Sequence, residues 1–291
     1  MRQLAKNLCR LNFDDYVILS ILERGMESYN FVPIEFIMET APFSEEKALR
    51  HLKKLHEFKL VVRWIGDYVG YRLTVHGYDA LALNSLVNSG VLESFGIALG
   101  VGKESDVYDA VTPSGRRVVV KAHRMGRPSF IHAKRVRGYV NTSSLQREWF
   151  HASRKSAKRE FSVLKLLSAE GVAVPEPISC NRHIVVMDFV EGDELVKCKF
   201  IPKPYRVLEE IIENVRLAYR CGIIHGDLSE YNVILKPDLH IALIDWPQYA
   251  DLNHPSSQYL LERDIRNVLS FFKRKFNVTL DLTEVLNYVT K

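Results

Sequence analysis

The stretch that most constrains this chain is IIHGDLSEYNVIL, at residues 223–235, where a polar loop lies between two apolar runs. The apolar runs predict two short buried strands. Between them, the loop carries Asp227 and Asn232, one carboxylate and one carboxamide. Flanking strands that are held in a core keep the polar groups of such a loop in place, so the pattern indicates a functional loop.

A further aspartate follows another apolar run, in the stretch ALIDW, which ends at Trp246. Carboxylate and carboxamide oxygens are the ligands that hard divalent cations prefer, so Asn232 and Asp245 are candidate metal ligands. Asp227 is a candidate for orienting or deprotonating an attacking hydroxyl group or water.

Upstream, a glycine-containing loop lies between two predicted strands and carries Gly102, Lys103, Glu104 and Ser105, with Val107 in the second strand. Glycines let backbone amides approach phosphate oxygens closely, and a serine hydroxyl adds a donor. The loop is not a Walker A motif, because Glu104 follows the lysine where serine or threonine is required.

Two charged residues complete the pattern. Lys121 ends the strand-like run RVVVK, and Glu160 is the only acid in the first half of a helix predicted at residues 153–171. A glycine loop, a strand lysine, a helix glutamate, HGDxxxxN and a later aspartate are the parts of a kinase-type phosphoryl-transfer site, in kinase order. A purely structural reading has to dismiss all five matches.

The N-terminal region shows a different pattern. Helical periodicity at residues 12–24, 33–39 and 44–58, followed by two β-rich runs around Gly66 and Asp67, predicts a winged helix. In the third helix, we expect a buried stripe made of Leu49, Leu52, Leu55 and Phe58. The opposite, water-facing side would carry four nucleic-acid candidates, namely Lys47, Arg50, Lys53 and Lys54.

The net charge of +5 is unevenly distributed. Residues 116–160 contain thirteen Lys and Arg, with Glu148 and Glu160 as the only acids. Two basic regions on a nearly neutral chain indicate a polyanionic partner, although a solvated helix face and a loop would explain them equally well. Few hydrophobic residues lie at about 126–148, so we expect a loop there that is mobile alone and ordered on a partner.

The motifs GKESDVY, HGDLSEYN and IDWPQ resemble those of the Rio atypical protein kinases, in their winged-helix subfamily, which is the second Rio subfamily. Ordinary protein kinases have HRDLKxxN and DFG instead. In this chain Gly226 stands in place of the arginine, Ser229 in place of the lysine, and Trp246-Pro247 in place of Phe-Gly. The short termini are those expected of a minimal, archaeal form.

The resemblance implies an α+β protein, with an N-terminal winged-helix domain followed by a truncated bilobal kinase-like domain. We expect the winged helix at residues 1–75, a linker helix and connection at 76–96, the N-lobe at 97–190 and a short C-lobe at 191–291. Only 46 residues follow Asp245, enough for helices at about 257–275 and 281–290 but not for the usual activation segment and docking lobe.

The resemblance also implies an activity. Similar proteins bind ATP with Mg²⁺ (or Mn²⁺), phosphorylate themselves on serine, and act in maturation of the small ribosomal subunit. The transient phosphate would fall on Asp245, Lys121 would pair with Glu160, and residues of the basic loop, Ser129, Ser143 and Ser144, are candidate acceptors. The adenine hinge would comprise Met187, Asp188, Phe189 and Val190. Partners would be the small-subunit precursor, its rRNA and protein substrates.

Two other functions remain open from sequence. Small-molecule phosphotransferases of the aminoglycoside and choline type share HGDxxxxN, and a nucleic-acid-binding adaptor could retain an inactive kinase fold.

Four scattered cysteines indicate free thiols. The absence of any apolar run of about 18 residues argues against a membrane partner. These features predict a cytoplasmic protein.

Overall fold

The structure, a computed structural model, describes residues 7–126 and 142–291, with side chains of the second range from residue 148 onward. The chain divides into two compact units. The first comprises the described residues up to Ala157 together with Ser179–Val186, and the second comprises Lys158–Ile178 together with Met187–Lys291.

The first unit begins with three helices and a small antiparallel sheet. In chain order these elements are α1 (Phe13–Gly25), β1 (Val32–Pro33), α2 (Ile34–Thr40), α3 (Glu45–Glu57), β2 (Val61–Ile65) and β3 (Val69–Leu73). Asn12 begins α1 with a reciprocal capping box to Asp15, and Ser44 caps α3. The three helices and the hairpin predicted from sequence are confirmed. The two-residue strand β1, which pairs with β3, was not predicted.

The face that α3 buries differs from the prediction. Ala48, Leu52 and Leu55 are fully buried, whereas Leu49 is 46% exposed. The predicted three-residue spacing drifts around a helix that has 3.6 residues per turn, and positions 48, 52 and 55 follow that period better. The helix is therefore rotated so that His51 also turns inward.

The first unit continues with a longer helix and most of a five-stranded sheet. The elements are α4 (Val75–Asn88), β4 (Ser94–Val101), β5 (Ser105–Val111) and β6 (Arg117–His123), then α5 (Thr142–Ala169), β7 (Pro177–Asn181) and β8 (Ile184–Asp188). The strand order is β4-β5-β6-β8-β7. A turn at residues 112–115 joins β5 to β6, as predicted, and Gly115 adopts a φ of +81° there.

The helix α5 corrects the predicted extent of the basic loop. It begins at Thr142, so residues 142–148 are helical rather than part of a loop at 126–148. Residues 127–141 lie outside the described residues. In α5 the apolar side chains of Val163, Leu164 and Leu167 are buried, and Gly171 follows the end of this helix with a φ of +78°.

The second unit contains the C-terminal end of α5 and the elements that follow β8. They are β9 (Asp193–Glu194), a 3₁₀ turn (Leu195–Lys197), α6 (Pro204–Arg220), β10 (Ile223–Ile224), β11 (Val233–Leu235), β12 (Ile241–Leu243), β13 (Ala250–Asp251), α7 (Ser257–Phe276) and α8 (Leu282–Val289). The two predicted terminal helices are confirmed. Among the helices that the structure describes, none is both long and apolar enough to cross a lipid bilayer.

Candidate active site

The loop at residues 225–232, which we call the HGD loop, lies between two short buried strands, as predicted. Ile224 in β10 and Val233 in β11 are at most 2% exposed. Between them, Gly226 adopts a φ of +77°, in the left-handed region that favours glycine. A Cβ atom at this position would lie 2.5 Å from the carbonyl oxygen of Gln248, so only glycine fits.

Asp227 and Asn232 have different surroundings on this loop. The Asp227 residue is exposed, whereas Asn232 is 9% exposed. The Asn232 amide donates to the Asp227 carbonyl oxygen at 2.8 Å, which leaves the carboxamide oxygen as the atom that can ligate a cation. The backbone oxygen of Asn232 in turn accepts from the Ile244 amide at 2.9 Å. This bond joins the loop to the segment that carries Asp245.

Asp245 is half-buried and lies directly after β12 with a φ of +69°. Aspartate tolerates this left-handed conformation better than most residues, and such conformations occur often at functional sites. The neighbouring Trp246 is 1% exposed and donates its indole N–H to the Leu243 carbonyl at 3.0 Å. His225 Nε2 lies 3.0 Å from the Ile244 carbonyl oxygen, so this histidine contacts the backbone next to Asp245.

Glu160 is buried, with 1% exposure, and its Oε1 accepts the backbone N–H of Trp246 at 3.1 Å. One residue earlier, Arg159 donates to the carbonyl oxygen of Tyr249 at 2.7 Å, and its guanidinium stacks over that ring at 4.5 Å. Two successive residues of α5 therefore fix the backbone on the C-terminal side of Asp245. The predicted pairing of Glu160 with Lys121 stays a prediction.

Three residues of α7 hold the backbone of the HGD loop, and sequence reasoning missed all three. Asp264 accepts from the amides of Gly226 at 2.7 Å and Leu228 at 3.1 Å. Asn267 donates to the Leu228 carbonyl at 3.1 Å, and Arg263 donates to the Gly226 carbonyl. The only available signal was an aspartate on the apolar face of an amphipathic helix, where Asp264 is 1% exposed.

Burial raises the pKa of Asp264 from 3.8 to about 6. Desolvation disfavours the carboxylate, and it outweighs the two backbone hydrogen bonds and the nearby Arg263, which favour the ionised form. Around neutral pH the carboxylate is therefore ionised and accepts both amides, so the loop is held by a charge that titrates just below the physiological range.

In the first unit, the candidate phosphate-binding residues form the turn between β4 and β5. The Gly102 amide donates to the Ser105 carbonyl at 2.8 Å, and residues 101–104 are exposed. Lys121 in β6 is 6% exposed and lies opposite Val107 of β5 in the sheet register. Lys121 therefore lies on the strand next to β5, which begins at Ser105 directly after the turn.

The predicted hinge lies in the second unit at the end of β8. Met187 is 7% exposed, and the Asp188 amide donates to the Glu176 carbonyl at 2.9 Å. Phe189 and Val190 follow the strand. Within the described residues no three His, Cys, Asp or Glu side chains converge as a metal site. Magnesium often takes only one or two carboxylates, with phosphate and water supplying its other ligands.

The nucleic-acid candidates on α3 are less uniform than predicted. Lys47 pairs with Asp14 at 2.8 Å, and Lys54 pairs at 2.5 Å with Asp15, which is fully buried. These two lysines bind α1 rather than simply facing water, which is a correction. Arg50 pairs with Glu46 of its own helix at 3.1 Å, and both Arg50 and Lys53 are exposed.

The structure does not describe the side chains of the three candidate phosphate acceptors. Ser129 lies outside the described residues. Ser143 and Ser144 belong to the first turn of α5, and their side chains lie outside the described residues as well.

Comparison with known proteins gives two family matches. Residues 106–285 match the RIO domain family, and residues 8–89 match the family described as Rio2, N-terminal. The RIO-type serine/threonine-protein kinase Rio2 of Methanocaldococcus jannaschii is 40% identical over 275 residues, which cover 91% of this chain and 100% of that protein. The Saccharomyces cerevisiae protein kinase RIO2 is 36% identical, covering 91% of this chain and 64% of its own length.

A relative of known structure covers nearly the whole chain. The Rio2 kinase of Chaetomium thermophilum, in an ADP/Mg²⁺-phosphoaspartate complex, superposes with a TM-score of 0.87 at 30% identity, over 99% of this chain and 89% of that one. The chain spans about half the length of the Dictyostelium discoideum relative, at 52%. The α+β fold with an N-terminal winged helix is confirmed. The chain therefore belongs to the Rio2 group of the RIO-type serine/threonine-protein kinases.

Proposed function

We propose that this chain binds ATP with Mg²⁺ or Mn²⁺ and acts as an atypical serine/threonine kinase and ATPase. The observation that carries the proposal is the pair of hydrogen bonds at Asn232, which joins the backbone of Asp227 to the segment that bears Asp245. The buried strands thereby hold two oxygen donors for a cation, Asn232 and Asp245, and one exposed carboxylate that can accept a proton, Asp227. The ADP/Mg²⁺ complex of the Chaetomium relative supports the same assignment.

The residues take separate roles in the proposed site. Asn232 and Asp245 hold the cation, which neutralises phosphate charge when bound. The amides and side chains of Gly102 to Ser105 receive phosphate oxygens, and Lys121 supplies a positive charge to them. Backbone groups from Met187 to Val190 receive the adenine.

We place the transferred phosphate on Asp245. An oxygen of its carboxylate attacks the γ-phosphorus of ATP, the bond from that phosphorus to the bridging oxygen breaks, and ADP leaves. Water then attacks the acyl phosphate and releases inorganic phosphate, while Asp227 accepts the proton of the water. A serine hydroxyl that attacks in place of water gives phosphoserine. The phosphoaspartate described for the Chaetomium relative supports this route.

The experiment that tests the proposal is incubation with ATP labelled at the γ-phosphate, followed by acid precipitation with and without hydroxylamine. An aspartyl phosphate is cleaved by hydroxylamine, whereas phosphoserine is not. Label that depends on Mg²⁺, is released by hydroxylamine and is absent from Asp245→Asn supports the proposal. Turnover of aminoglycosides or choline would favour a small-molecule phosphotransferase. Absence of any turnover would favour a nucleic-acid-binding adaptor.

We also propose that the physiological partner is the precursor of the small ribosomal subunit, contacted through its rRNA in the cytoplasm. The two basic regions of the chain and the exposed Arg50 and Lys53 support a polyanionic partner. The four cysteines are all free, as a reducing compartment requires. Co-sedimentation with small-subunit precursor particles, together with the ATP turnover rate with and without them, tests this proposal. No co-sedimentation at physiological salt would contradict it.

A further inference from the structure

A buried ionic cluster lies in the first unit, whereas the proposed cation ligands Asn232 and Asp245 belong to the second unit. Asp79 of α4 and His183, between β7 and β8, are fully buried. Arg124, just after β6, is 3% exposed, and Asp106 of β5 is 6% exposed. Sequence reasoning grouped Arg124 with the basic region and gave no role to the other three.

The contacts within this cluster use every nitrogen of one guanidinium. Arg124 Nη1 and Nη2 donate to the two carboxylate oxygens of Asp79 at 2.8 and 3.0 Å, and Nε donates to Asp106 at 2.9 Å. His183 Nε2 lies 2.8 Å from the same Asp79 carboxylate. A bidentate pair of this kind fixes direction as well as distance.

Electrostatics keep the pair ionised. The Arg124 charge and the His183 contact hold the pKa of Asp79 well below its usual range, although burial opposes this. Buried ion pairs contribute little net stability, because desolvation offsets their attraction, but removal of one partner leaves a costly unpaired charge. The cluster is therefore better understood as a device that fixes geometry than as a source of stability.

The cluster fixes the conformation of the candidate phosphate loop, residues 102–105 at the turn between β4 and β5. The Arg124 amide donates to the Glu104 carbonyl at 2.6 Å, while its side chain holds Asp106, two residues along. Arg124 thus contacts the loop on both sides of Ser105. The Gly102 amide, which donates to the Ser105 carbonyl at 2.8 Å, closes the same turn.

The other end of the cluster belongs to the helix that follows the winged-helix hairpin. Thr74 caps α4 directly after β3, and Asp79 lies in the second turn of this helix. A continuous series of contacts therefore leads from the last strand of the hairpin through Asp79 and Arg124 to the backbone of the phosphate loop.

We propose that Asp79 and Arg124 are positioning residues for nucleotide binding, through which α4 sets the conformation of the phosphate loop. This inference rests on the proposed function, because it takes residues 102–105 as the phosphate-binding turn. It predicts that loss of the Asp79 charge weakens nucleotide binding without any change to the groups that perform the chemistry.

The test compares Asp79→Asn with Glu23→Gln in the full chain. Glu23 of α1 forms an ion pair with Arg182, which precedes His183, at 2.5 Å, and this pair lies outside the series of contacts from Asp79 through Arg124 to residues 104–106. We expect Asp79→Asn to raise the dissociation constant of MgADP and the KM for ATP about tenfold, the scale of typical coupling between sites. The kcat should change little. Glu23→Gln should lower the melting temperature without changing nucleotide affinity.

Arg124→Lys provides a second variant in case Asp79→Asn does not fold. Lysine keeps the positive charge beside Asp79 but cannot hold Asp79 and Asp106 at once, so the same rise in KM is expected. Wild-type MgADP affinity in these variants, or an equal loss of affinity in Glu23→Gln, would overturn the positioning role alone. If the wild-type chain bound no MgADP, the proposed nucleotide site would fall, and the positioning role with it.

Discussion

Asp227 and Asp245 are chemically identical side chains in one unit, yet they have different surroundings, and we propose different roles for them. Asp227 is exposed on a loop, and the half-buried Asp245 has a left-handed backbone next to β12. A carboxylate that accepts a proton contributes in the transition state, whereas one that ligates a cation already contributes when nucleotide binds. Substitutions that remove only the charge should therefore separate binding from turnover.

Asp227→Asn should lower kcat by about 10²- to 10⁴-fold, the usual contribution of a general base, with MgADP affinity nearly unchanged. Asp245→Asn should weaken magnesium-dependent MgADP binding on the order of tenfold, because the cation loses its charged ligand. Asparagine suits both positions, since it keeps the side-chain size and tolerates a positive φ. Calorimetric titration measures both affinities. Equal loss of affinity in the two variants would contradict the assignment of roles.

Asp264 should give the protein a pH response. Its pKa rises from 3.8 to about 6 on folding, so the folded state binds the proton more tightly. The stability from the neutral carboxyl is present below about pH 4 and is lost as pH rises through 6, by roughly 3 kcal/mol. The amide resonances of Gly226 and Leu228 should titrate with a midpoint near pH 6.

The variant Asp264→Asn should abolish that titration and lower kcat, because one of the two accepted amide bonds is lost. Asp281→Ala is the matched control, since it removes the N-terminal cap of α8, which lies in the same unit. It should cost about 1 kcal/mol of stability and leave the two resonances unchanged. Amide shifts that stay flat between pH 5 and 7 in the wild type would refute the raised pKa.

At the scale of elements, the helix α3 carries two kinds of positive charge. Lys47 and Lys54 bind carboxylates of α1, and the Lys54 partner Asp15 also lies 2.7 Å from Nδ1 of His51. Such lysines hold helices together. Arg50 and Lys53 extend into solvent and remain available to a polyanion.

Arg50→Glu combined with Lys53→Glu should weaken binding to small-subunit rRNA and flatten its salt dependence, by a slope of about 0.7 to 0.9 per lost phosphate contact. The control is Lys199→Glu with Lys273→Glu, an equal charge change at exposed positions of the other unit. Lys54→Met should instead lower the melting temperature, because Asp15 loses a partner. Fluorescence anisotropy at several salt concentrations measures the affinities. Equal affinity in the double variant and the control would remove α3 as the RNA-binding element.

The helix α3 also shows that sequence patterns predicted the position of a helix better than the side of the helix that is buried. Caps and apolar periods are local, so Ser44 and the hairpin at Gly66 were sufficient to predict α3 and the wing. The buried face of α3 also includes contacts to distant residues, such as that of His51 with Asp15, which lies 36 residues earlier. The predicted start of α5 was too late because its first residues, TSSLQRE, are mostly polar and show no apolar stripe.

At the scale of the whole molecule, nucleotide binding should appear as added stability. A ligand at one hundred times its dissociation constant stabilises the folded state by about 2.7 kcal/mol. We therefore expect MgADP to raise the melting temperature by several degrees, and EDTA to remove most of this rise. Asp227→Asn should keep the rise, and Asp245→Asn, with about tenfold weaker binding, should keep only about half of it. A rise that persists in EDTA would contradict a cation-dependent site.

The catalytic motifs could be predicted from sequence because each is a short string whose chemistry fixes its residue types. Their support could not be predicted in this way. Asp264 reaches the Gly226 amide across 38 residues, and Arg124 reaches Asp79 across 45. Contacts over such separations depend on the packing of whole elements, which a single sequence does not display.

The backbone at Gly226 restricts which residues can occupy this position. The arginine found at this position in ordinary kinases reads a phosphorylated activation segment, and its Cβ would lie 2.5 Å from the Gln248 carbonyl in a backbone with a φ of +77°. An arginine substituted here would collide with the segment after Asp245, so that segment would have to move first. A single substitution at position 226 therefore cannot introduce an arginine that reads a phosphorylated activation segment.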